Sequence, residues 1–149
     1  MSQNKFGFIT LELSVALIIT SITLLAISNI KLSSDVKMSN TKTQILEILH
    51  QARTWALITG DSVTVCPTSD NKCNSNWHSN HIAAFSHNKQ IAVIKPQQQN
   101  ALSWHANLNN TQNIIFRPDG STLGEQGTLR IGNNYKVVIN FNGNITLIS

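Results

Sequence analysis

The sequence predicts an α+β fold, with one long N-terminal helix packed on a mainly antiparallel C-terminal β-sheet. Three observations carry this expectation. The chain opens on a long uncharged apolar run, a helical period of apolar residues follows through Ala56, and beyond Gly60 the period changes to two. A chain of 149 residues can bury one hydrophobic core without extra cross-links. No internal repeat is visible, so a single globular domain is expected. Charged residues make up 12% of the chain, half the usual share of roughly 25%. With 41% hydrophobic residues, that balance excludes a disordered chain. The formal net charge of +4, from 11 Lys and Arg against 7 Asp and Glu, permits an anionic partner without requiring one.

The first element is the apolar run. Residues 13–30 read LSVALIITSITLLAISNI, 18 residues without a charge, the length at which a transmembrane helix is the default reading. Extended back to residue 8 it spans about 35 Å as a helix, enough for a hydrocarbon core of roughly 30 Å. Ser14, Thr20, Ser21, Thr23 and Ser28 interrupt the run; small hydroxyls of this kind bond carbonyls one turn back or pack against a neighbouring helix. A cleaved secretory signal would have a shorter apolar core and a small-residue cleavage site after it. The single charge in residues 8–30 is Glu12. A carboxylate one turn inside a membrane helix is costly unless it reaches the interface or finds a cationic partner. The nearest candidate partner is a free amine at the start of the helix, if the chain is cut just before Phe8.

Lys5, Phe6 and Gly7 precede Phe8-Ile9-Thr10-Leu11-Glu12-Leu13. This pattern resembles the class III signal of type IV pilins and pseudopilins. The resemblance implies cleavage by a prepilin peptidase between Gly7 and Phe8, N-methylation of Phe8, and a salt bridge from Glu12 to the methylated amine of an adjacent subunit during filament assembly. The usual Thr-Leu-Ile-Glu order is permuted here to Ile-Thr-Leu-Glu, which keeps the apolar character and the glutamate spacing. An acid buried unpaired in a helix bundle is penalised, so such pairing favours assembly in register. Lys5 fits cytoplasmic retention of the leader. Residues 1–7 are thus the expected leader, 8–30 the transmembrane helix, and 31–59 its amphipathic continuation. The implied location is the bacterial inner membrane, crossed once, with the C-terminal region periplasmic.

Lys31, Asp35 and Lys37 mark an exposed stretch, after which Ile45, Ile48, Leu49, Ala52 and Ala56 recur on one helical face. Gly60-Asp61 ends the helix. Residues 62–66, with alternating β-branched positions, predict a strand. Residues 82–85 and 90–94 flank a polar turn and predict a hairpin. Pro96 and the polar residues after it predict a loop. Residues 114–116 precede Arg117-Pro118-Asp119-Gly120, a turn with Pro and Gly at suitable positions. Gly132-Asn133-Asn134 connects residues 128–131 with 135–141. Asn142-Gly143 suits a two-residue type I′ turn, which pairs residues 137–141 with 144–148.

Cys66 and Cys73 enclose six residues. If the anchor leaves the chain beyond Lys31 outside the inner membrane, the compartment is oxidising and a disulfide is the default. The alternative is a metal site with His78, His81 or His87, but Cys-x6-Cys-x4-His-x2-His departs from the usual zinc spacing. Cys66-Pro67, an Asp-Asn-rich loop, Cys73 and Trp77 resemble the FimT/GspH branch of the pilin-like family. So does Phe116-Arg117-Pro118-Asp119-Gly120, similar to that branch's phenylalanine–glycine turn. Asn80 stands where the branch often has glycine, and Asn tolerates the left-handed conformation.

Some FimT-type minor pilins bind DNA through a C-terminal Gly-Arg-x-Arg element. Here Gly143 matches the glycine, while Asn144 and Thr146 stand at the arginine positions. Lys89, Lys95, Arg117, Arg130 and Lys136 are the remaining DNA-binding candidates, scattered in sequence, whereas phosphate binding needs clustered cations. Trp77 and Trp104 are expected to pack rather than stack on bases. No nucleophile elbow, zincin motif, phosphate loop or dinucleotide fingerprint occurs. The expected role is therefore a non-catalytic minor pilin or pseudopilin without cofactor. Its expected partners are the prepilin peptidase, inner-membrane lipid and other filament subunits; a DNA-uptake receptor is the alternative.

Overall fold

The computed structural model describes residues 5–97, 102–107, 112–122 and 126–149, with side chains on the helix from 13 to 21 and from 36 onward. Among the described residues a single helix, α1 (Lys5–Thr59), is followed by nine strands. The chain divides into two compact units, Met1–Val36 and Lys37–Ser149.

In the first unit the described side chains are exposed and mostly apolar: Leu13, Val15, Leu17, Ile18 and Ile19 are 47–67% accessible. Thr20 Oγ1 donates to the carbonyls of Ala16 and Leu17, and Ser21 Oγ to those of Leu17 and Ile18. The hydroxyls are thus turned back onto the helix, as expected of Thr20 and Ser21, and leave its surface apolar. Among the described residues no helix is long and apolar enough to cross a membrane. Most side chains of the expected 8–30 span lie outside the described residues.

In the second unit the helix buries the face that its period predicts. Ile45, Ile48, Leu49, Ala52 and Ala56 are at most 1% exposed. The stripe extends back one turn to the buried Thr41. Gly60 ends the helix with a left-handed φ of +72°, and its N–H bonds the Ala56 carbonyl at 3.0 Å. This is the usual glycine stop, since a side chain there would be strained.

The β-region comprises β1 (Val63–Ser69), β2 (Lys72–Cys73), β3 (His81–Ser86), β4 (Lys89–Ile94), β5 (Leu102–Ala106), β6 (Ile114–Phe116), β7 (Gly127–Ile131), β8 (Tyr135–Ile139) and β9 (Ile145–Ile148). Instead of one sheet, the described strands form two. The first runs β2-β1-β3-β4, with β6 also paired to β1; the second runs β5-β7-β8-β9. Every pairing is antiparallel. The break falls at Pro96, where the chain leaves β4 and supplies β5 to β7 instead. Both sheets send alternate residues to one core. Val63, Val65, Ile82 and Ala84 from the first meet Leu102, Leu129, Ile131, Val137 and Ile139 from the second, against the buried helix face.

Two local expectations are corrected. The β8–β9 connection is a three-residue loop rather than a two-residue type I′ turn. The N–H of Gly143 bonds the Asn140 carbonyl at 2.8 Å, the N–H of Asn140 bonds the Asn144 carbonyl at 3.0 Å, and only Gly143 in the loop has a positive φ. The extra residue shifts the register by one, so Ile139 faces Ile145 and Val137 faces Leu147. That shift keeps Ile145 and Leu147 on the core side with their partners, because a one-residue slip would reverse the strand's faces. Asn80, second, is not in the left-handed region, so the glycine it replaces is not needed for backbone reasons.

Candidate functional site

The signal residues Gly7, Phe8 and Glu12 fall within α1 (Lys5–Thr59), but their side chains lie outside the described residues. The features of the β-region that resemble the pilin branch are within view and fall at two places.

The first is the cysteine loop. Cys66 and Cys73 form a disulfide with a Cα–Cα separation of 5.5 Å, inside the range that a bridge needs. Cys66 is fully buried on β1, next to Ala83 and Phe85, and Cys73 is exposed on β2. The bridge pins the short β1–β2 hairpin, whose turn Asp70–Asn71 has both residues at positive φ. Thr68 Oγ1 donates to the Lys72 carbonyl at 3.0 Å and the Asn74 N–H to the Pro67 carbonyl at 2.8 Å. With both sulfurs bonded to each other, the cysteines have no thiolate to offer a metal. His87 Nδ1 lies 3.4 Å from an Asp61 oxygen instead. Among the described residues no group of three or more His, Cys, Asp or Glu converges.

Trp77 packs in the core at 6% exposure and donates from Nε1 to the Gln112 carbonyl at 2.9 Å. Its ring lies 6.3 Å from that of the partly buried Trp104. Trp77 is thus a core residue, and Trp104 is partly buried against the same core.

The second place is the glycine turn after β6. Pro118 and Asp119 occupy its corner, and the Gly120 N–H closes it on the Arg117 carbonyl at 2.8 Å. Asp119 Oδ1 accepts from Ser121 N–H at 3.0 Å and from its hydroxyl at 2.6 Å. The Ser121 hydroxyl, more than any other contact, holds the Asp119 carboxyl below its ordinary pKa of 3.8. Gly120 is buried at φ +74°; a Cβ there would press on Leu57 of the helix at 2.9 Å. Thr122 hydrogen-bonds the hairpin tip through the Phe141 carbonyl at 2.9 Å. A Cβ on Gly143 would overlap the carbonyl oxygen of Gly120. The two turns thus touch backbone to backbone.

Arg53 completes this contact. Its Nε donates to Gly120 O at 3.1 Å, one terminal nitrogen to Asn142 O at 3.2 Å, and the other to Asn144 Oδ1 at 3.3 Å. Sequence reasoning singled out Gly143 and Asn144 for a missing DNA element and passed over Arg53. The signal available was an arginine one residue beyond the buried Ala52, at the edge of an apolar helical face. Asn144 accepts its hydrogen bond from within the fold.

The five cation candidates are divided between the two sheets. Lys89 and Lys95 stand at the two ends of β4, and Arg117 follows β6. Arg130 and Lys136 alone are brought into register, opposite each other on β7 and β8.

Residues 43–143 match the family described as Type II transport protein GspH. No curated protein is matched by sequence. In structure the chain is similar to the type IV minor pilin FimU of Pseudomonas aeruginosa. The TM-score is 0.55 at 11% identity, over 75% of this chain and 88% of that one. It is also similar to the minor pseudopilin EPSH from the type II secretion system of Vibrio cholerae. There the TM-score is 0.51 at 10% identity, over 76% and 96% of the two chains. The long helix, the two antiparallel sheets against it and the matched 43–143 stretch lead to one assignment: this chain belongs to the GspH family of pilin-like proteins.

Proposed function

We propose that the chain is a non-catalytic minor pilin or pseudopilin, a subunit acting in the assembly or at the tip of a type IV pilus or a type II secretion pseudopilus. The observation that carries this reading is the joining of a GspH-type domain to a helix whose described stretch, residues 13–21, is exposed and largely apolar. Such a surface is stable only in lipid or in a bundle of like helices. A single inner-membrane anchor with the second unit periplasmic fits both that helix and the disulfide, which belongs to an oxidising compartment. On this reading prepilin peptidase cuts between Gly7 and Phe8, and the Phe8 amine is methylated and pairs with Glu12 of a neighbour. The DNA-receptor alternative has less support: its five candidate cations are spread over two sheets, and Asn144 is engaged by Arg53.

Intact-mass and N-terminal peptide spectrometry of the chain, expressed with its native secretion or pilus apparatus, tests the proposal. A mature N-terminus at methylated Phe8 is expected. An intact Met1, or a cut at another bond, overturns it.

A further inference from the structure

The disulfide-pinned hairpin does more than close a loop. Together with the β3–β4 turn it borders a half-open cleft of about 600 Å³, a volume within the range of small-ligand sites. Thr64 and Phe85 contribute to its lining from β1 and β3; Lys72 and Cys73 come from the hairpin strand, and Ser62 lies just before β1. Its two rims are turns of the same kind. Asp70–Asn71 lies between the paired Ser69 and Lys72, and His87–Asn88 between the paired Ser86 and Lys89.

Both residues of each turn are left-handed, with φ of 52° and 59° in one and 49° and 61° in the other. Two-residue turns of this geometry ordinarily use glycine. Here Asn71, His87 and Asn88 all line the cleft, so side chains are kept where glycine would be less strained. Such strain marks a place to look for function, and the chemistry of the cleft says which.

We propose that this cleft binds an acidic saccharide. Lys72 supplies its positive charge and His87 a ring nitrogen. Asp61, the carboxylate beside His87, is engaged with it at 3.4 Å, and Asp70 does not line the cavity. An anionic group on the ligand therefore meets the Lys72 ammonium and the amide and hydroxyl donors of the wall, while the neighbouring Asp61 carboxylate is held by His87. The rest of the lining is not simply basic. The carboxamides of Asn71 and Asn88 and the hydroxyls of Ser62 and Thr64 each offer both a donor and an acceptor. A hydroxyl-rich ring uses both; a bare carboxylate uses only donors. Phe85, a lining residue buried to 8% exposure, contributes an apolar edge for the ring's C–H face. The proposal does not rest on filament membership, since the cleft lies wholly within the second unit.

The test uses the full-length chain in detergent micelles, titrated with glucuronate, glucose, glutarate and tetraglutamate, and followed by backbone amide shifts. Glucuronate is expected to saturate one site, with shifts confined to residues 62–64, 71–73 and 87–88. Affinity should fall about tenfold in Lys72→Met, the usual cost of one charge-assisted contact. It should also fall in Asn88→Gly, while the Tm of that variant rises because the strained side chain is gone. Loss of binding in a more stable protein separates ligand recognition from folding. Equal affinity for glutarate or tetraglutamate overturns the saccharide assignment in favour of a carboxylate or acidic-peptide site. Equal affinity for glucose overturns the role of charge, and absence of saturable glucuronate binding overturns the proposal as a whole.

Discussion

The guanidinium of Arg53, on the helix, donates to the carbonyl of Gly120 at 3.1 Å across 67 residues of sequence. The same side chain reaches the hairpin tip at Asn142 and Asn144. It therefore joins three parts of the chain that no local pattern brings together. Replacing it should be felt in stability rather than in secondary structure. Arg53→Ala is expected to cost about 1.5–3 kcal/mol, the range for hydrogen bonds made by a charged donor. Arg53→Lys should recover only part of that, because an ammonium cannot present the planar fork that reaches three acceptors. Chemical denaturation of both variants, read by circular dichroism, checks the order wild type, Lys, Ala.

The glycines of the two turns should not be equivalent to the glycine that ends the helix. Gly60 has φ +72° and open space around its Cα, so Gly60→Ala should cost about 1 kcal/mol from backbone strain alone. Gly143 has φ +73° and lies against the Gly120 carbonyl. Gly143→Ala adds overlap to strain and should cost about 3 kcal/mol. Similar losses for the two variants would show that the turn-to-turn contact is not tight in solution.

Reduction of the disulfide tests the hairpin. The bridge between Cys66 and Cys73 spans a sequence separation of 7, and so short a loop should contribute roughly 2–3 kcal/mol. Unfolding midpoints with and without reductant measure it. The Cys66→Ala, Cys73→Ala double variant should be as stable as the reduced wild type and insensitive to reductant.

Asp119 carries a pH signature. Its pKa is held below 3.8 in the folded chain, chiefly by the Ser121 hydroxyl. A depressed folded-state pKa contributes stability that is present above the unfolded value and lost as pH falls through the folded one. Carboxyl-detected NMR titration should therefore place Asp119 below 3.8. Ser121→Ala should return it towards that value; an unchanged titration would remove the hydroxyl as the cause.

On the filament reading, Glu12→Ala should leave membrane insertion intact and reduce incorporation into filaments. Fractionation against sheared-filament immunoblots separates the two effects. Normal incorporation would show that no Glu12 pairing is required.

The legibility of the sequence followed the range of the interaction. The apolar face Ile45, Ile48, Leu49, Ala52 and Ala56 was readable because helical period and burial are local consequences of the same geometry, and all five are buried. The Gly60 stop and the 82–85 and 90–94 hairpin were readable for the same reason. The short strand β2 was not marked because two residues carry no period; the strand β5 was passed over although Leu102, Ser103, Trp104, His105 and Ala106 alternate apolar and polar. The β8–β9 register was misjudged because Asn-Gly fits a two-residue turn by itself. The loop takes one residue more, and Ile145 and Leu147 then stand on the core side.

By itself, then, the sequence determined the long helix, its buried face, the α+β order, the cysteine pair and the glycine turn, since each rests on residue type and near-neighbour spacing. Tertiary structure alone decided that the strands divide into two sheets, that Arg53 bridges two distant turns, and that the hairpin and the His87–Asn88 turn border a cleft. Those outcomes depend on which backbone carbonyls and which side-chain faces meet across tens of residues, and packing of the whole core sets that choice, not the preference of any one segment.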